Sequence, residues 1–273
     1  MTDAVVEISP APRTWPAMLG ALWSRREIVV YLAWREIRGR YAQTVLGTLW
    51  TFVQPFAATL VYAIVFGKMV KLRADGVPYP LFVMVGVLAW QFLASSIQRS
   101  SNSLVANSFM IKKVYFPRLA LPLAAVGTAL IEFGAACVVL FGMAAYYGVV
   151  PPSSLVLLPP LIVIGGALGL GLGMLLASVN CRYRDVQYGI GFGLQMWMFL
   201  TPVVYPLTAV PERYHGWLRL NPMTGIIGGF RSAILGSPLD AAALMHSITF
   251  AAFFLGIGGI VFRRVERTAA DVL

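Results

Sequence analysis

No charged side chain occurs between Tyr41 and Gly67, and the residues just before that window hold Arg35, Glu36, Arg38 and Arg40. An α-helix needs about 20 mostly apolar residues to cross a bilayer core. The window is long enough, and a basic segment running straight into it marks a membrane boundary, where Arg, Tyr and Trp settle among headgroups. Pro55 lies inside the window. It removes one helix hydrogen bond, so a kink is expected there, tolerable if neighbours satisfy the freed carbonyl. The arginines admit two readings, ordinary snorkelling anchors or part of a site.

Further charge-poor windows follow. The chain reads as span 1 within 41–67, a polar loop at 68–75, span 2 within 76–98 ending at Arg99, and a polar segment at 99–118. Span 3 runs from about Leu119 to Tyr147 with Glu132 near its middle. Span 4 covers about 155–179, span 5 about 186–205 and span 6 about 241–262. Only 12% of the chain is charged, against about 25% for a soluble domain, which makes this a polytopic membrane protein. The net charge of +10 does not signal nucleic acid, because the charges fall in the breaks between apolar windows.

The expected fold is all-α: six transmembrane helices, an amino-terminal amphipathic interface helix, and two short re-entrant helices between spans 5 and 6. Residues 1–21 read as a flexible cytoplasmic arm, without the apolar core of a cleavable signal peptide. Residues 22–41 read as a helix lying in the interface, or else packed on the protein itself. Trp23, Val30, Trp34, Ile37 and Tyr41 form one narrow stripe, while Val29 and Leu32 spoil the opposite, charged side. Residues 42–273 form the six-span unit. Six spans put both termini on one side. With the termini inside, 15 of the 21 Lys and Arg lie inside and six outside, so the positive-inside rule gives cytoplasmic termini. Between spans 5 and 6, stretches at about 212–219 and 223–235 are separated by Asn221-Pro222. Each is too short to cross. They read as half-helices dipping into the outer leaflet, or as interfacial helices of a plain loop. Gly165, Gly169 and Gly173 in span 4, and Gly189 and Gly193 in span 5, recur every four residues, a spacing that permits close helix packing.

Several chemistries are missing from the sequence. Gly67-Lys68-Met69 lacks the upstream glycine and the Ser/Thr of a phosphate-cradling loop. Cys137, Cys181, His215 and His246 have no metal-ligand spacing, and no catalytic or metal site is expected. Glu132 is the one carboxylate within a span, and a structural hydrogen-bonding role is expected for it. The chain reads as a transport pathway without its own motor.

An ordered set of motifs carries a resemblance. These are Arg35…Arg38-Gly39-Arg40-Tyr41, Leu46-Gly47…Trp50, Pro55, Phe66-Gly67, Gly86…Trp90-Gln91-Phe92, and Asn107…Ile111-Lys112-Lys113-Val114-Tyr115-Phe116-Pro117-Arg118. Arg184-Asp185, Thr201-Pro202-Val203…Tyr205 and Leu220-Asn221-Pro222-Met223…Phe230-Arg231 complete it. Over nearly the whole chain after residue 25, the sequence resembles the permease subunit of type-2 ABC exporters, in the branch that exports O-antigen and other lipid-linked polysaccharides.

The resemblance implies a homodimer, two copies of a separate ABC ATPase that would hold ATP and Mg, and no cofactor on this chain. It implies an undecaprenyl-diphosphate-linked polysaccharide as substrate and the bacterial inner membrane as location. The path would run between two copies, with spans 1 and 5 at a lateral lipid gate. Arg35, Arg38 and Arg40 stand where a diphosphate would arrive, and Arg forks suit its oxygens, although anchoring to lipid headgroups would use the same residues. Trp50, Phe56, Trp90, Trp197, Phe199 and Tyr205 are the aromatics that would cover sugar faces along the path. A short helix near 104–114, with Lys112, Lys113, Tyr115, Phe116 and Arg118, would dock on the ATPase, helped by Arg184 and Asp185. Asn221, Pro222 and Arg231 would guard the exit. The alternatives are export of capsular polysaccharide, teichoic acid, a lipo-oligosaccharide or a small lipophilic drug, or a motor-free flippase.

Overall fold

The computed structural model of the protein describes residues 20, 23–24, 26–41, 47–72, 74, 76–114, 116–183 and 185–272. Helices dominate them. Helix α1 spans Arg26–Tyr41, α2 spans Trp50–Tyr62, α3 spans Tyr79–Ala106 and α4 spans Ser108–Lys113. They are followed by α5 (Ala120–Tyr146), α6 (Leu158–Asn180) and α7 (Val186–Phe199). Two short helices, α8 (His215–Leu220) and α9 (Pro222–Leu235), lead into α10 (Ala241–Val272). The one extended pairing among the described residues is an isolated bridge between Ala74 and Val77.

Among the described residues, five helical runs are long and apolar enough to cross a membrane: Trp50–Met69, Tyr79–Ala106, Ala120–Tyr146, Ser153–Asn180 and Ala241–Glu266. The expected fifth span differs. Helix α7 has 14 residues, about 21 Å at 1.5 Å per residue, and the chain then leaves the helix at Leu200. Pro202 explains the break, since it has no amide hydrogen to donate and biases the residue before it away from helix. The two short helices expected before α10 are there as α8 and α9.

Helix α3 is the hub. It packs on α2, α5, α6, α7 and α9, and 78% of its most apolar window is buried against 11% for the run containing α2. Leu81, Met84, Leu93 and Ile97 on α3 are fully buried. The glycine repeat of α6 explains how close the approach is. Gly165 faces Phe92, Gly169 faces Ser96 and Gly173 faces Ser100, so two i, i+4 rows lie against each other. A Cβ at Gly169 would stand 2.6 Å from that of Ser96. The matching repeat of α7 behaves differently, as nothing lies within 4 Å of a Cβ built on Gly189 or Gly193. These two glycines line an apolar groove with Ile97, Leu172 and Leu176 instead.

Two other expectations are corrected. Arg99 does not end span 2, because α3 continues through it to Ala106. Pro55 lies inside α2, and a π-helical run follows at Ala63–Met69. There Gly67 lies so close to the ring of Tyr79 that a Cβ would meet it at 2.7 Å. The helix expected near 104–114 is the shorter α4, since α3 takes the residues up to Ala106 and Asn107 separates the two. Most of the amino-terminal arm lies outside the described residues. Helix α1 packs on α5 through Leu32 and Ala33, the side that the sequence made imperfectly polar, while Trp23, Val30 and Trp34 stay exposed.

Candidate functional site

Where α1 meets the bundle, four charges from three helices form one group. Arg99 of α3 donates to Glu132 of α5 at 2.7 and 2.5 Å and to Glu36 of α1 at 2.9 Å. Its side chain is 7% exposed. A cation buried that far is tolerated only when paired and hydrogen-bonded, and two carboxylates meet that condition. Glu132 thus has the structural role expected of it. Thr128 adds hydroxyl contacts to Glu36 and to the Ala33 carbonyl.

The three arginines before span 1 have three different surroundings. Arg40 donates to Glu132 at 3.4 Å, and its side chain is 47% exposed. That is a loose contact in a high-dielectric setting, worth little on its own. Arg35 points the other way, donating to the Asn107 side chain and to the Met110 sulfur at 3.4 Å. It therefore ties α1 to the start of α4. Arg38 lies over the exposed Trp34 ring at 5.6 Å, a cation–π contact on the surface.

Arg40 lines a cavity of about 540 Å³ between α2, α3 and α5, with Met198 of α7 also in its wall. The wall is polar on one side, with Gln54 from α2 and Gln91, Ser95 and Gln98 from α3. A second cavity of about 360 Å³ shares Arg40, Gln98 and Arg99 and continues to Arg35, Asn102 and Asn107. Neither Arg99 nor this polar row was singled out from the sequence. The signal was available: Gln91, Ser95, Gln98 and Asn102 recur at spacings of four, three and four, one face of a helix.

The expected path aromatics divide. Trp90 is buried, lines the larger cavity and meets Trp197 edge-on at 5.6 Å between centroids. Trp50, Phe56 and Phe199 are exposed on the outside of the chain. Trp197 donates from its indole nitrogen to Asn221 at 3.0 Å. The Tyr205 hydroxyl donates to the Phe199 carbonyl at 3.3 Å.

Asn221 organises the other end. Its oxygen caps α9 by accepting from the Met223 amide at 3.0 Å, and its nitrogen donates to Thr201 at 2.8 Å. Pro222 occupies the first helical turn, where no amide hydrogen is needed. Arg231 is buried, lies 3.6 Å over the Phe82 ring and donates to the Val203 carbonyl at 2.6 Å. Tyr79 donates to the Val204 carbonyl at 2.6 Å. The non-helical turn after α7 is thus strapped by side chains from α3 and α9.

Near α4, Lys112, Lys113, Phe109 and Val114 are exposed, with the Lys113 ammonium 4.0 Å over the Phe109 ring. Phe116 is not exposed with them. It is buried in the chain's own core with Ile111, Leu119, Cys181 and Phe262, so it anchors the segment. Arg118 is likewise engaged, bonding the Glu266 carboxylate through its backbone amide at 3.1 Å and the Glu266 carbonyl through its guanidinium. Asp185 is exposed at the start of α7. Tyr115 and Arg184 lie outside the described residues. No cluster of three metal-ligating side chains occurs among the described residues.

Similarity to other proteins gives these features a context. The profile of the ABC-2 type transporter family matches residues 27–235. An O-antigen export system permease protein, RfbA, of Myxococcus xanthus is 30% identical over 250 residues, covering 90% of this chain and 95% of that one. A protein of the same name from Klebsiella pneumoniae is 26% identical, with the same coverage of both chains. The polysialic acid transport protein KpsM of Escherichia coli is 24% identical over 85% of this chain and 91% of its own. The match spans α1 to α9, with every element that builds the cavity and the strapped turn, and the chain belongs to the ABC-2 type transporter family.

Proposed function

We propose that this chain is the membrane-spanning permease of an ATP-driven exporter of a lipid-linked, O-antigen-like polysaccharide. Two copies work with two copies of a separate ABC ATPase in the bacterial inner membrane, with both termini in the cytoplasm. The relatives that cover nine-tenths of the chain are named for O-antigen export. The observation that carries the reading is Arg40, half exposed and loosely held, which lines a cavity together with α2, α3, α5 and Met198 of α7. A lateral gate between spans 1 and 5 would admit a lipid carrying a charged head to that cavity. In this reading α8 and α9 sit at the outer leaflet, and the strapped turn completes the crossing that α7 begins. The exposed side of α4 supplies the ATPase contact through Phe109, Lys112, Lys113 and Val114.

The three arginines are not equivalent in this mechanism. Arg40 receives the diphosphate, Arg35 holds α4 to the α1 helix, and Arg38 with Trp34 anchors α1 among headgroups. A charge-assisted hydrogen bond contributes about 1.5–3 kcal/mol, or roughly one to two orders of magnitude in recognition. The test compares Arg→Lys and Arg→Gln at positions 35, 38 and 40 in the assembled transporter. It measures ATP hydrolysis stimulated by lipid-linked oligosaccharide at matched membrane insertion. Arg40→Gln is expected to lose at least tenfold in apparent affinity, with Arg40→Lys a partial rescue because the fork is gone. Full activity of Arg40→Gln would remove this residue from the site. Equal activity of Lys and Arg would reduce it to a headgroup anchor.

A second reading keeps the fold and changes the cargo to a capsular polysaccharide. It is favoured by the similarity to the polysialic acid transport protein and to a capsule polysaccharide export inner-membrane protein of Neisseria meningitidis, 21% identical over 81% of this chain. Stimulation by lipid-linked polysaccharides of the two kinds separates the readings.

A further inference from the structure

The polar row on α3 has no explanation in the reading so far. Gln91, Ser95 and Gln98 follow one another on one helix face and look into the 540 Å³ cavity, where Gln54 meets them from α2. Gln91 lies near the middle of a helix long enough to cross the membrane. Among the described residues, the amides of Gln54, Gln91 and Gln98 make no hydrogen bond to another side chain or carbonyl. A polar side chain at the depth of Gln91 is costly unless it faces partners, water or cargo, while Gln54 and Gln98 are exposed. All three face a cavity whose volume falls in the range of about 300–1,000 Å³ typical of small-molecule sites. The buried Trp90 is part of its lining.

The lining narrows the ligand. A cation is poorly served, because the one carboxylate in the wall, Glu132, is held at two points by Arg99. Amides donate and accept at once, which matches hydroxyl groups that do the same. An indole ring offers an apolar face to C–H groups. Neutral amides beside one Trp fit a sugar ring, and the cavity begins at Arg40, where the anion is held.

We propose that this cavity, inside one copy of the chain, is a saccharide subsite that takes the sugar adjoining the diphosphate. Gln91 and Gln98 bond its hydroxyls and Trp90 covers one of its faces. The inference rests on the proposed function, and its test separates the two. The wild-type transporter with its ATPase, in vesicles of phosphatidylethanolamine and phosphatidylglycerol, is titrated with undecaprenyl diphosphate and with the same lipid carrying one hexose. The wild type is expected to bind the hexose-bearing lipid more tightly. The Gln91→Leu/Gln98→Leu variant is expected to lose about tenfold for that lipid, the scale of one to two neutral hydrogen bonds, and nothing for the bare lipid. Ser95→Leu fills the cavity while keeping both amides and is expected to show the same selective loss. Wild-type binding of both lipids with equal affinity overturns the subsite, as does full discrimination by both variants. Wild-type binding of neither lipid overturns the proposed function itself, and the subsite with it.

Discussion

The cavity beside Arg40 and the turn after α7 both interrupt an otherwise apolar bundle, and they are built on opposite plans. In the turn, the backbone carbonyls are taken, with the buried Arg231 Nε the one donor of its strap left without a partner among the described residues. The Thr201 hydroxyl donates to the Trp197 carbonyl at 2.7 Å, Arg231 and Tyr79 take the carbonyls of Val203 and Val204, and Asn221 bonds four groups. In the cavity, the deep cation is saturated while the amides and Arg40 keep capacity in reserve. A non-helical backbone segment away from water holds one shape only if every group is satisfied. A surface that receives a ligand needs the reverse, groups positioned but unspent. In the proposed reading, the difference separates a part that keeps the fold from a part that handles cargo.

The comparison breaks most severely at Arg99. Arg99→Met takes from Glu36 and Glu132 the guanidinium they share, and a loss of about 3–5 kcal/mol is expected, read as thermal unfolding of the purified chain in detergent. Arg99→Met combined with Glu132→Leu is expected to recover most of it, since a buried pair can be replaced by apolar groups far more cheaply than it can be halved. No recovery would mean that the pair is not the unit. Next comes Asn221→Ala, which removes a helix cap and the partners of Trp197 and Thr201, for about 2–3 kcal/mol by the same assay. Asn221→Asp keeps the acceptor and loses the donor, and should cost less. Arg40→Gln is expected to shift unfolding by less than about 0.5 kcal/mol, because its ion pair is long and half exposed, while transport falls at least tenfold. A large unfolding shift there would blur the line between the two regions. Arg38→Gln is the smallest change, with less than about a twofold effect on lipid-stimulated hydrolysis, given an exposed cation–π contact.

The apolar windows made the spans legible, because length and lack of charge are properties of a contiguous stretch. Partnerships across the bundle were harder to read. Arg99 was taken as the end of a span because a lone charge ordinarily marks one, and the carboxylates that make it tolerable lie on two other helices. Glu132 could be assigned a structural role, though nothing local named its partner. The side of α1 that docks was also hidden: Leu32 and Ala33 look like flaws in an amphipathic pattern until α5 is placed against them. Phe116 read as a docking residue from its place in a basic motif, and only the tertiary core built with Phe262, far along the chain, shows it buried. The Asn221-Pro222 junction was readable, since a cap followed by a first-turn proline is a local signal.

The Arg99 group also has a history within each round of synthesis. Glu36 leaves the ribosome 63 residues before Arg99, and Glu132 follows 33 residues after it. At about 5–20 residues per second, α3 therefore waits roughly 2 to 7 seconds for its second carboxylate. In that interval Glu36, on a helix already made, is the available partner, so the two acids act in turn as well as together. A nascent chain halted before Ala120 is expected to keep α3 protected in the membrane, and to lose that protection in protease digestion when Glu36→Gln is introduced. The amino-terminal helix would then serve assembly before it serves transport, guiding in the helix on which the rest of the bundle is laid.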